Sequence, residues 1–162
     1  MRVKNIILAL LLISFLASCG PYSFSGATTG GIETVYIPVF ENETIEYGLG
    51  EELTTKITSA IVADNTLKVV DQNDADAFIS GKVISYKKSS ETYNIQDQVQ
   101  EYRVDVAVNV SFVKPNGDVI WEEPRISSFG VYEAETETED EGKTEALEKL
   151  AEIIVNRTVR NW

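Results

Sequence analysis

The chain has 162 residues, 43% of them hydrophobic, and its 14 basic against 26 acidic side chains leave a formal charge of −12. That length suits one domain of about 150 residues with a core of its own, and the negative balance opposes broad attraction to nucleic acid or to anionic lipid headgroups. There is no histidine and a single cysteine, which removes the usual general base, the partner in Ser-His or Cys-His pairs and the ligands of a tetrahedral zinc site.

Arg2 and Lys4 precede an apolar run, 6–17, in which Ser14 is the only polar residue. A positive start followed by a short apolar stretch is the layout of a secretory signal, and the run is too short for a membrane span of about 20 residues. Leu16-Ala17-Ser18-Cys19 resembles the lipobox of bacterial lipoproteins. The resemblance implies cleavage before Cys19, a diacylglycerol on its thiol and an acyl chain on the new amino terminus, with no other cofactor. Residues 1–18 are then a signal peptide. Without Arg2 and Lys4 the mature chain keeps twelve basic against 26 acidic side chains, a formal charge of −14. A lone cysteine has no disulfide partner and is free for lipid; a single acyl chain binds a bilayer with only about 10⁴ M⁻¹, whereas two or more anchor stably. The alternatives are a cleaved signal with an incidental cysteine and an N-terminal anchor helix.

Residues 19–31, rich in Gly, Ser and Thr, are expected to be a flexible tether with Tyr22 and Phe24 as anchoring aromatics, and 32–162 a single domain. The β-branched and aromatic stretch 34–40 is a strand, and Pro38, which cannot donate to a ladder, places an edge position or a bulge within it. Leu49, Leu53, Ile57, Ala60 and Ile61 then form one apolar face of a helix over 49–64, with Glu51 and Glu52 in its first turn and Asn65 as a left-handed stop. Leu67 to Val70 is a short strand. The aspartates of 71–76 lack the glycine and the later glutamate of an EF-hand, and predict a solvated turn.

The stretch 78–88 is a strand with Gly81 inside it, a sign of a bulge or a close approach. Over 99–112, Tyr102, Val104, Val106, Val108, Val110 and Phe112 alternate with polar or small residues, which means a strand with one buried and one polar face. Asn116-Gly117 predicts a hairpin. The return strand covers 119–122, is interrupted at Pro124 and continues over 125–132. Residues 133–145 hold seven acids and one lysine and predict an exposed, mobile loop. Ala146, Leu147, Leu150, Ala151, Ile154 and Val155 recur at helical spacing, with Thr144 as a candidate cap and Trp162 packing near the end.

The order is βαββββα. Two one-faced helices and a one-faced sheet pack economically as an α+β two-layer sandwich, with both helices on one face of a mostly antiparallel or mixed sheet. A pair of carboxylates could do acid–base work, but among 26 acids no pair stands out.

Several stretches in order resemble the LptE family of lipopolysaccharide-assembly lipoproteins: Cys19-Gly20-Pro21-Tyr22-Ser23-Phe24, Ile37-Pro38-Val39-Phe40-Glu41-Asn42, Leu67-Lys68-Val69-Val70-Asp71, Val99-Gln100-Glu101-Tyr102-Arg103-Val104, Trp121-Glu122-Glu123 and Ile154-Val155-Asn156-Arg157-Thr158-Val159. The resemblance implies an outer-membrane lipoprotein facing the periplasm, a plug and assembly partner of the LptD β-barrel that takes part in delivering lipopolysaccharide, and no enzyme. In that family basic side chains at one end of the sheet meet lipopolysaccharide phosphates. No motif fixes their equivalents here; the candidates are Lys87, Lys88, Arg103 and Lys114, and the alternative is that they are ordinary surface cations. The stretch Val35 to Asn42 with Gly48-Leu49-Gly50 also resembles N-terminal modules of secretion and cell-wall-synthase activator lipoproteins. Those usually carry a longer chain or a proline-rich tether.

Overall fold

The computed structural model describes residues 31–160. The signal peptide, Cys19, the tether up to residue 30 with Tyr22 and Phe24, and Trp162 lie outside the described residues. Within them the elements are β1 (Thr34–Tyr36), β2 (Glu41–Asn42), α1 (Leu49–Asp64), β3 (Lys68–Val69), a 3₁₀ turn (Gln72–Asp74), β4 (Ala77–Tyr93), β5 (Val99–Val113), β6 (Val119–Glu133) and α2 (Glu139–Arg160).

The fold is α+β, with a mixed sheet in the order β3-β1-β4-β5-β6 and β2 beside β4. β1 is parallel to both β3 and β4, and β2 is parallel to β4, whereas β4, β5 and β6 form an antiparallel meander. The expected first strand is therefore split in two. Tyr36 pairs with Phe78 but Glu41 pairs with Lys82, so 36–41 holds one residue more than the stretch it faces. That is a bulge around Pro38, between β1, which lies inside the sheet, and β2, which is bonded to β4 alone. Thr54 of α1 covers the gap, its hydroxyl accepting the Phe40 N–H at 2.9 Å.

α1 has the bounds that its apolar stripe predicts, and it stops at Asn65 with φ 59 and the N–H of that residue on the Ile61 carbonyl. α2 begins earlier than expected, because the acidic stretch 133–145 is only partly loop. Glu141 supplies one half of a capping box at Thr138: its Oε2 accepts the Thr138 N–H at 2.6 Å and the Thr138 hydroxyl at 3.1 Å, while the Glu141 N–H bonds to the Thr138 carbonyl. Three acids in the first turn then face the positive end of the helix dipole. Thr144 is an interior residue whose hydroxyl reaches Glu52 of α1.

One core unites both helices with one face of the sheet. Leu49, Leu53, Ile57 and Ile61 of α1 and Ala146, Leu147, Leu150 and Ile154 of α2 lie in the same buried cluster as Ile79, Val83, Val104, Val106, Val108, Val110 and Phe112. Each fully buried Leu, Ile, Val or Phe stabilises by roughly 1.5–3 kcal/mol. The other face carries Ser80, Lys82, Arg103, Asp105, Asn109 and Ser111, with the Ser80 and Ser111 hydroxyls 3.2 Å apart. It also carries Phe78, edge-on to Tyr36 with ring centroids 6.0 Å apart.

The β5–β6 hairpin forms where Asn116-Gly117 predicts it. Gly117 at φ 91 follows Pro115-Asn116, and Lys114 N–H bonds to the Asp118 carbonyl, the pattern of a three-residue loop closed by a left-handed glycine. β6 runs unbroken through Pro124. Val108 pairs with Ile126 and Val110 with Glu123, so the extra residue of a bulge lies at the proline.

Candidate functional site

Three of the four candidate cations gather at the end of the sheet where β4 finishes and β5 begins, but they do not share a face. A register shift between Val83 and Ser85 resets the alternation of β4, after which Tyr86 stands opposite Val106 and Lys88 opposite Val104, on the helix side. Lys87 stands opposite Asp105, on the outer side with Arg103. Lys114 begins the β5–β6 turn, nine residues from Asp105 or about 30 Å along the strand.

Lys88 closes a cluster that ties the start of α2 to the meander. Its Nζ donates to Glu139 Oε2 at 2.7 Å and lies 4.7 Å from the Tyr102 ring centroid and 5.4 Å from that of Tyr132. Those two rings are stacked at 5.4 Å. Tyr86 donates its hydroxyl to the other oxygen of Glu139 at 2.7 Å. The hydrogen bond to Glu139 raises the Lys88 pKa, while Lys88 first and Tyr86 second hold Glu139 below the usual carboxylate range. Desolvation, and then Glu139, push the Tyr86 hydroxyl upward. At neutral pH the cluster is an ammonium, a carboxylate and a neutral phenol, so the Lys88 charge is matched locally.

Arg103 is held in the same way on the outer face. Its Nε donates to both oxygens of Asp105 at 3.0 and 3.1 Å, Glu91 lies 3.6 Å from Nη1, and the guanidinium covers Phe129 with 3.6 Å between Cζ and the ring centroid. Lys149 of α2 reaches the same ring at 4.9 Å. Lys87 is exposed beside this pair.

Two openings bear on carboxylate chemistry. One of about 320 Å³ lies over the gap between β1 and β2, with Glu41 its one acid beside Lys82, Ser80, Ser111 and Asn109. The other, about 230 Å³, is bordered by Glu101, Glu133 and Glu135. Glu101 and Glu133 are register partners, and each accepts a threonine hydroxyl, from Thr92 at 2.9 Å and from Thr136 at 2.6 Å. Among the described residues no group of acids is arranged to hold a metal ion.

The tyrosine cluster and Phe129 were not marked by sequence reasoning, because their partners come from β4, β5, β6 and α2 together. A signal did exist for Glu139: Thr138-x-x-Glu141 announces a helix start and places Glu139 in its first turn.

The family model for lipopolysaccharide assembly, LptE, matches residues 32–161, a stretch that takes in all the elements described from β1 to α2. The chain belongs to the LptE family. No curated protein matches this LptE chain. Its fold is shared with a hypothetical protein of Chlamydia trachomatis, at 10% identity and a TM-score of 0.58 over 78% of this chain and 95% of that one. It is shared with a minor lipoprotein from Acinetobacter baumannii, at 16% identity and 0.52 over 78% and 90%. A PelC dodecamer from Paraburkholderia phytofirmans is also similar, at 14% identity and 0.52 over 85% and 94%. At such identities the likeness is one of fold.

Proposed function

We propose that this LptE-family chain is a lipid-anchored, periplasm-facing outer-membrane protein that acts as plug and assembly partner of an LptD-type β-barrel in lipopolysaccharide transport. The observation that carries the proposal is the family match over 32–161, which spans both helices and every strand rather than one motif. The Leu-Ala-Ser-Cys stretch ending at Cys19 supports the anchor, and no helix among the described residues is long and apolar enough to cross a membrane.

The geometry suits a tethered body that meets a partner at its far end. β1 runs parallel to β4, so the chain enters the domain at the end where β4 starts and the β5–β6 turn lies. The β4–β5 tip is then at the other end, since the 17 residues of β4 span about 55 Å. Ile95 at this tip and Tyr47 in the loop after β2 are 96% and 93% exposed. Large apolar side chains so placed gain most from being covered. Arg103 and Lys88 have local acids, so at this end of the sheet a direct contact with lipopolysaccharide phosphates begins from Lys87 or requires those ion pairs to open, and Lys114 is exposed at the opposite end.

Depletion of the protein in its native host tests the proposal. Surface lipopolysaccharide is expected to fall and the barrel to lose its assembled form; normal amounts of both would overturn it. A second reading, an interaction module of another envelope machine, has in its favour the resemblance of Val35 to Asn42 with Gly48-Leu49-Gly50 to N-terminal modules of secretion and cell-wall-synthase activator lipoproteins. It predicts normal surface lipopolysaccharide after depletion.

A further inference from the structure

β6 is the long free edge of the sheet. At its upper end Ala134 N–H bonds to the Gln100 carbonyl of β5, so the even-numbered residues there turn their backbone groups inward and Phe129, Val131 and Glu133 turn theirs outward. An outward row of this kind is a template for another strand.

Here the row is occupied by side chains from α2 and the turn before it. Val131 N–H donates to Glu145 Oε2 at 2.8 Å, Glu133 N–H donates to Glu137 Oε2 at 2.7 Å, and Lys149 Nζ donates to the Phe129 carbonyl at 3.1 Å. Two carboxylates face the Val131 and Glu133 amides, an ammonium faces the Phe129 carbonyl and the Glu137 N–H bonds to the Glu133 carbonyl at 3.1 Å, which are the kinds of partner that a neighbouring strand would offer. Glu145 and Lys149 also pair with each other at 2.7 Å, one turn apart. Their side chains remain 43% and 41% exposed, so core packing does not account for them. Further down the strand Pro124 has no N–H and sits at the bulge, a different way of blunting an edge.

We infer that the outer edge of β6 over 129–133 is a strand-addition surface for the same edge of a second copy of this chain, held closed by Glu137, Glu145 and Lys149. The edge is its own complement. With two copies antiparallel about a twofold axis at Val131, that residue exchanges both bonds with its counterpart, and the Phe129 carbonyl of each copy accepts the Glu133 N–H of the other, while the Glu133 carbonyl keeps its bond to the Glu137 N–H. No third chain is needed, and the contact closes at two copies. Phe129, 38% exposed, and Val131 stand on one side of the strand and supply the apolar cross-strand contact.

Sedimentation velocity on the full chain in mild detergent tests the inference. The wild type is expected to run at the mass of one copy, and the E137A/E145A/K149A variant at twice that mass in a concentration-dependent way. Adding Val131→Pro, which removes the central outward N–H without touching the β5 ladder, should restore the single copy. A folded triple variant that stays single, or a pair that survives the proline, overturns it. Should the triple variant fail to fold, amide exchange decides: the Val131 amide is protected in the wild type and exchanges roughly tenfold or more faster in Glu145→Ala. A wild-type Val131 amide exchanging as fast as an open edge would also overturn the inference.

Discussion

Gly130 of β6 and Gly142 of α2 meet backbone to backbone, so that a Cβ added to Gly130 would stand 1.9 Å from the Gly142 carbonyl oxygen. This contact seats the helix on the edge strand and brings Glu145 and Lys149 within reach of its outward groups. A Cβ on Gly142 would instead meet the Tyr132 ring at 2.7 Å, a smaller overlap and with a side chain rather than with backbone, although that ring is buried and stacked on Tyr102. Gly130→Ala is therefore expected to cost at least the upper part of the overpacking range of about 1–3 kcal/mol, and Gly142→Ala less. Urea unfolding checks this through a lower midpoint at an unchanged slope.

Asp76 links β1 to the start of β4, its carboxylate accepting the Glu33 and Thr34 amides at 3.0 Å and the Thr34 hydroxyl at 2.9 Å. These bonds, led by that from Glu33, hold its pKa below the ordinary 3.8. A depressed carboxylate contributes stability that is present above the unfolded pKa and lost as pH falls through the folded one. Stability should thus decline below about pH 4, and Asp76→Asn should flatten that acid limb while lowering stability at neutral pH. Unfolding midpoints measured from pH 2 upward check the sign; an unchanged acid limb in the variant would contradict it.

Lys88 and Glu139 should behave as a coupled pair. Each side chain is more than a third exposed, so the coupling is expected at the scale of a surface ion pair, about 0.2–1 kcal/mol. A double-mutant cycle on Lys88→Met and Glu139→Gln measures it. Additive effects would mean that the contact contributes nothing.

The buried and exposed aromatic and aliphatic side chains should separate cleanly. Phe112, fully buried in the centre of the core, is expected to cost about 3–5 kcal/mol on replacement by alanine. Ile95→Ser at the exposed tip should change stability by no more than about 0.5 kcal/mol. Thermal melts of the two variants check the contrast.

Much of the fold was legible because single elements carry their own periodicity. The four-residue spacing from Leu49 to Ile57 gives α1 its bounds, and the alternation from Tyr102 to Phe112 gives β5 its buried face. What local pattern conceals is pairing. Ser89 to Tyr93 is polar on both sides and reads as loop, yet it extends β4 because β5 lies beside it. The acids of 139–145 look like a solvated run, but Glu141 reaches back to the Thr138 N–H to start a helix there and Gly142 presses that helix onto β6. The candidate site followed the same logic. Alternation put Arg103 on the outer face, whereas the shift after Val83 that sends Lys87 and Lys88 to opposite sides has no mark in the sequence.

Affinity purification of the tagged full chain from detergent-solubilised outer membranes, followed by mass spectrometry, tests the barrel partnership most directly. A β-barrel of LptD type is expected to be recovered in about equal amount with it. Recovery of the chain from that membrane without such a barrel would contradict the partnership.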